Sequence, residues 1–118
     1  MFISTIQHKG KEVFFFDYTD CKTQEQMIER IKEAAEFTRK CPSKILSISD
    51  FTGTFAGQEF MNEANRLSKE VFSEKQEKGA ALGITGIKKI LLEGYNLISK
   101  TKIHPFKSRE DALEYLTN

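Results

Sequence analysis

The chain has no tryptophan, two prolines, two cysteines and two histidines, and no apolar run near the roughly 20 residues that a membrane-spanning helix needs. Each scarcity bears on a class of function. Cys21 and Cys41 lie too far apart for a C-x-x-C motif and have no histidine partners at metal-ligand spacing, so no metal centre is expected and both read as reduced thiols of a cytoplasmic protein. His8 falls in a turn and His104 in a strand, with no nucleophile or carboxylate arranged around either in sequence. No G-x-S-x-G, H-E-x-x-H, Walker or dinucleotide glycine pattern occurs. No catalytic residue, no cofactor and no enzymatic activity are therefore expected. Charge of one sign is missing too. Lysine and arginine number 18 against 17 acidic residues, a net +1, which provides no field for nucleic acid or anionic lipid. The opening "MFISTIQHKGKEVFFF" lacks the basic region, unbroken apolar segment and small-residue site of a signal peptide.

What is present is an ordinary globular composition, 39% apolar and 30% charged in 118 residues, enough to bury a core without disulfides or metal. A single domain over 1–118 is expected. Most of the ten phenylalanines, Phe14, Phe16, Phe60 and Phe72 among them, fall on apolar stripes that read as core.

"FISTIQ" alternates apolar and polar, "HKGK" supplies a glycine turn and "EVFFFDY" is rich in β-branched and aromatic residues, which together predict a hairpin. A first helix follows, opened by a capping box of Thr23 and Gln26 and closed before Pro42. "KILSISD" has the period of a strand. A second helix carries Phe60, Met61, Ala64, Leu67, Val71 and Phe72 on one stripe and is expected to run to Lys78, with Gly79 as its left-handed stop. "AALGI" reads as a short buried strand. Thr85 is placed to cap the third helix, whose inward stripe is expected to be Ile87, Ile90, Leu91, Gly94, Leu97 and Ile98, with close packing as the reason for Gly94. "KIHPF" is a final strand, put at the sheet edge by Pro105. "SREDALEYL" is a last helix capped by Ser108.

The order ββαβαβαβα predicts an α/β fold with a five-stranded mixed sheet, antiparallel only at its first strand and covered by four main helices. Its strand-3 and strand-4 loops leave by one edge, where open α/β sheets place their sites. Small residues Ser47, Ser49, Ala81 and Gly83 would share a face on which a second subunit or a helix could lie.

This order, with "SDFTG" ending the third strand and "GITGIKKILL" opening the third helix, resembles the STAS-like family, whose best-known members are bacterial anti-sigma-factor antagonists. The resemblance spans the chain in element order. From "GITGIKK" to "EDALEYL" it is similar to a branch of small bacterial STAS-like proteins. It implies a regulatory or protein-interaction domain. In the antagonists a serine or threonine after an aspartate and before a glycine at this strand end is phosphorylated, and Asp50, Thr52 and Gly53 match that pattern. This chain inserts "TFAG" before its helical stripe, where the antagonists begin a helix at once. The CRAL-TRIO lipid carriers use the same kind of β/α layer, an analogy of fold alone.

Two readings stand for each candidate site. Asp50, Thr52 and Thr54 are either turn residues bonding nearby amides or a phosphate-accepting switch. Thr85, Gly86 and Lys88 are either a plain helix start, with Lys88 and Lys89 solvated, or an anion-binding corner in which Lys88 meets Asp50 or a phosphate on Thr52. Phe51 and Phe55 either fold back over the sheet end or contact a partner. The leading expectation is a non-enzymatic interaction domain acting on a protein partner or on itself as a homodimer. The alternative is a carrier or sensor of an anionic or amphipathic small molecule.

Overall fold

The computed structural model describes residues 2–118. β1 (Ile3–His8) and β2 (Lys11–Asp17) pair antiparallel across a two-residue turn. Lys9 and Gly10 both take positive φ, 51° and 76°, the backbone that matches hairpin twist and that glycine adopts without steric cost. β3 (Ile45–Asp50), β4 (Gln76–Leu82) and β5 (Ile103–Phe106) then add in parallel, giving the order β1-β2-β3-β4-β5 with β5 at an edge. The expected mixed sheet, antiparallel only at its first strand, is the observed one.

α1 (Gln24–Lys40) starts at the expected capping box, in which Thr23 accepts from the Gln26 amide and the Gln26 side chain accepts from the Thr23 amide. α2 (Gln58–Leu67) has only Gly57 at its N-cap, and Gln24 supplies the missing acceptor. Gln24 Oε1 takes the amides of Gly57 at 3.0 Å and Phe60 at 2.9 Å, so one side chain of α1 caps α2. α2 runs on through a π turn (Ser68–Phe72) into a last short turn, α3 (Ser73–Lys75). The wider π turn lets Val71 and Phe72 both be buried on the stripe of Phe60, Met61, Ala64 and Leu67.

Two expectations fail here. The helix stops at Lys75, not Lys78, and β4 begins at Gln76, so Gly79 lies inside a strand instead of ending a helix. Register explains both: Gln76 pairs with Ile45 and Lys78 with Leu46, a bulge that recruits three polar residues into the strand. Gly79 is held there by space, since a Cβ would strike the side chains of Ile103 and Gln76.

α4 (Ile87–Ile98) and α5 (Arg109–Thr117) complete the fold. α5, capped by Ser108 as expected, covers one sheet face through Ala112, Leu113 and Leu116 against Val13, Phe15, Leu46 and Ile48. α1, α2 and α4 cover the other. The small residues Ser47 and Ala81 on that face are fully buried inside the chain, which leaves no room there for the second subunit that the sequence suggested.

α4 corrects a third expectation. Ile87, Ile90, Gly94, Leu97 and Ile98 are expected to face inward, yet the four aliphatic residues are 58%, 65%, 86% and 57% exposed and Gly94 is exposed with nothing within 4 Å of a Cβ, so close packing in this chain does not account for it. The face turned inward carries Lys88, Leu92 and Tyr95, with Leu91 at its border. This helix is apolar on nearly every side, so periodicity alone does not choose its buried face. Polar pins choose it: Lys88 Nζ donates to Phe51 O at 2.9 Å, and the Asn96 amide exchanges two 2.8 Å bonds with the Ile103 backbone.

Candidate functional site

β2 and β3 end in the same tripeptide pattern, "DYT" and "DFT", in register with Asp17 opposite Asp50. Asp17 Oδ1 accepts from the Thr19 amide at 2.9 Å and hydroxyl at 2.5 Å, and Asp50 Oδ1 accepts from the Thr52 amide at 3.0 Å and hydroxyl at 2.6 Å. Each is an aspartate-closed turn that ends a strand. The intervening rings stack, with Tyr18 and Phe51 centroids 4.6 Å apart. Phe51 therefore folds back over the sheet end, against Tyr18 and Phe60, while Phe55 is 72% exposed.

Thr52 is exposed, and Gly53 follows it at a φ of 74°. Thr54 donates its hydroxyl to Phe51 O at 2.7 Å. The amides at the start of α2 lie beyond the inserted "TFAG" and are engaged by Gln24, so Thr52 does not cap that helix. The β4 loop packs closely on this turn. Gly83 takes a φ of 75°, and a Cβ on it would collide with the Thr52 backbone and hydroxyl, so only glycine lets the two loops meet.

Thr85 and Gly86 are exposed, and the N-cap of α4 is Gly86, not Thr85. The two lysines part company. Lys89 stays in solvent, while Lys88 turns in and bonds the Phe51 carbonyl. Burial lowers the Lys88 ammonium below the usual lysine range, and the nearby Asp50 charge opposes that shift. Asp50 makes no ion pair with Lys88 among the described residues. The structure thus brings Lys88 to the Asp50–Gly53 turn.

Beneath α4 lies a cavity of about 100 Å³, walled by Phe16, Tyr18 and Phe51 from the sheet side, Phe60 and Met61 from α2, and Leu91, Leu92 and Tyr95 from α4. Small side chains at Ala34, Ser49, Ala56 and Ala64 leave it open where larger ones would fill it. Lys88 is the one charged residue among those lining it. Tyr95 reaches Ser68 and Ser99, whose hydroxyls are 2.9 Å apart; burial raises its phenol above the usual tyrosine range, partly offset by those two bonds. A void this size can hold a compact apolar group, and the ammonium can hold an acidic one. No group of three His, Cys, Asp or Glu side chains able to hold a metal occurs among the described residues.

Sequence reasoning named Lys88 and the "DFTGTF" loop but missed Leu92, Tyr95 and Gln24. Leu92 and Tyr95 were hidden by the second apolar stripe of α4. The repeated D-aromatic-T pattern was a readable signal that both turns end strands.

No protein-family model matches the chain, and no curated protein does. Among solved structures it is similar to an uncharacterized protein of the DUF3478 family with a SpoIIAA-like fold from Shewanella loihica PV-4, with a TM-score of 0.61 and 16% identity over 97% of this chain and 91% of that one. With its five-stranded mixed sheet and flanking helices in this order, the chain has a SpoIIAA-like, and thus STAS-like, fold.

Proposed function

We propose that this is a non-enzymatic binding domain that takes a compact apolar molecule bearing an acidic group, acting as its carrier or sensor. One observation carries the reading: an apolar cavity of about 100 Å³ whose single charged lining residue is the half-buried Lys88. A ligand that fills it recovers contacts that the protein alone lacks. Its acid would accept from Lys88 Nζ in place of the Phe51 carbonyl, so that the ammonium meets an opposite charge and not only a carbonyl dipole.

Thermal denaturation in the presence of benzoate, phenylacetate and hexanoate, with benzyl alcohol and hexanol as uncharged counterparts, tests this reading. The acids are expected to raise Tm more than the alcohols, and Lys88→Met, which keeps the apolar stem, to abolish that difference while leaving the unliganded Tm within about 2 °C of wild type. Equal shifts by acids and alcohols, or none at all, would reject it.

A second reading is regulation through protein contact at the "DFTGTF" loop. The exposed Phe55 and the STAS-like fold favour it. The duplication of the Asp50–Thr52 turn at Asp17–Thr19 favours a structural role for Thr52 and puts the phosphate switch second.

A further inference from the structure

The cavity beneath α4 has a second polar end, opposite Lys88. Gln76 lines it and is more than nine-tenths buried, yet its side-chain amide is only half engaged. Nε2 donates to the Ser47 hydroxyl, while Oε1 has no hydrogen-bond partner among the described residues. Buried polar groups are nearly always paired, and one in the wall of a void calls for a partner that enters the void. Two irregularities of β4 place this amide. The bulge against β3 sets Gln76 opposite Ile45 and Lys78 opposite Leu46, with Glu77 as the extra residue, and a bulge re-aims the side chains beside it. Gly79 then makes room inside the strand, because a Cβ there would stand 2.9 Å from Gln76 Nε2.

The amide lies over Ser47, and Lys88 Nζ is bonded to Phe51 O, four residues farther along the chain. At about 3.3 Å per residue the two groups stand roughly 13 Å apart. A hydrogen bond of about 2.8 Å at each end leaves roughly 7.5 Å between the ligand's own polar atoms. An aromatic ring with an acetate on one side and an oxygen directly opposite has this span. We infer that the molecule taken by this cavity carries a hydroxyl at the end opposite its acid, held by the Gln76 amide, so that the ligand class is a para-hydroxylated arylacetic acid. The inference rests on the acid-binding reading of the cavity and adds a second contact to it. A hydroxyl fits because it both donates and accepts, and so satisfies the amide whichever of its two atoms is presented. An amine would bring a second cation to a wall whose one charged residue is already a lysine.

Isothermal titration calorimetry with phenylacetate, 4-methylphenylacetate, 4-hydroxyphenylacetate and 3-hydroxyphenylacetate tests this on the wild-type protein. The 4-hydroxy acid is expected to bind at least about fivefold more tightly than the 4-methyl acid, which matches its size without the hydroxyl, and more tightly than the 3-hydroxy isomer, whose oxygen falls short of Gln76. Gln76→Met, which keeps the apolar stem, is expected to lose that gain while still binding phenylacetate. The four-acid comparison in wild type decides the question even if Gln76→Met, without its Ser47 bond, does not fold. If phenylacetate binds but the 4-hydroxy acid binds no better than the 4-methyl acid or the 3-hydroxy isomer, the inference is overturned and the acid-binding reading stands. A gain that survives in Gln76→Met overturns it equally, because the hydroxyl then meets Tyr18 or Ser49. Failure of all four acids to bind rejects both.

Discussion

Lys88 and Tyr18 show how one environment moves two titrating groups in opposite senses. Burial pushes the Tyr18 phenol far above its ordinary value of 10.0 and raises Tyr95 in the same direction. The folded state keeps those protons while the unfolded chain releases them, so their contribution is whole below about pH 10 and is lost as pH rises further. Lys88 works the other way. Its lowered value makes the folded state shed a proton first, so its contribution rises between that value and the ordinary 10.5. With two phenols and the thiols of Cys21 and Cys41, which burial also raises, against one amine, the urea midpoint is expected to fall between about pH 9 and about pH 11, and Tyr18→Phe to flatten that fall. A midpoint that rises over this range would show that the lysine dominates.

At the scale of elements, helices here are tied by side chains that reach across to a neighbour. Gln24 is the clearest case, because its side-chain oxygen serves the two amides at the start of α2 and a Cβ on Gly57 would run into it. Gln24→Ala is expected to cost about 1 kcal/mol, the ordinary worth of an N-cap, and to do so by fraying α2 while α1 keeps its own capping box. Amide hydrogen exchange resolves the two helices: faster exchange at Phe60 and Met61 with unchanged protection in α1 is the expected outcome, and uniform loss would mean that Gln24 serves packing alone. Asn96 plays a comparable part between α4 and β5 through its paired bonds to Ile103.

For the whole molecule, the cavity is where packing falls short of an ordinary interior, and small residues from strand and helix together create it. Ser49 lines it from the sheet side. Valine at that position adds apolar volume in a residue suited to a strand. Ser49→Val is expected to raise the unliganded stability by about 0.5 to 1 kcal/mol and to weaken the Tm shift produced by phenylacetate. Greater stability with unchanged ligand response would place the ligand elsewhere. Among the described residues no helix is long and apolar enough to cross a membrane.

The sequence by itself determined the element order, the hairpin, the capping box at Thr23 and Gln26, and the edge position of β5. These rest on local periodicity, turn chemistry and the missing proline amide, all properties of short windows. It also pointed to Lys88 and the "DFTGTF" loop as neighbours, since parallel strands in sequence order bring those loops together. Three things were decided only by tertiary structure. The start of β4 at Gln76 follows from pairing with β3, because "QEK" continues a helix as readily as it opens a strand. The capping of α2 by Gln24 joins residues 33 and 36 positions apart. The buried face of α4 was chosen among nearly equivalent apolar stripes by Lys88, Tyr95 and Asn96, whose hydrogen-bond partners lie on other elements. That choice made the cavity and exposed the stripe around Gly94, because a helix apolar on all sides has no periodic signal to say which side the sheet will take.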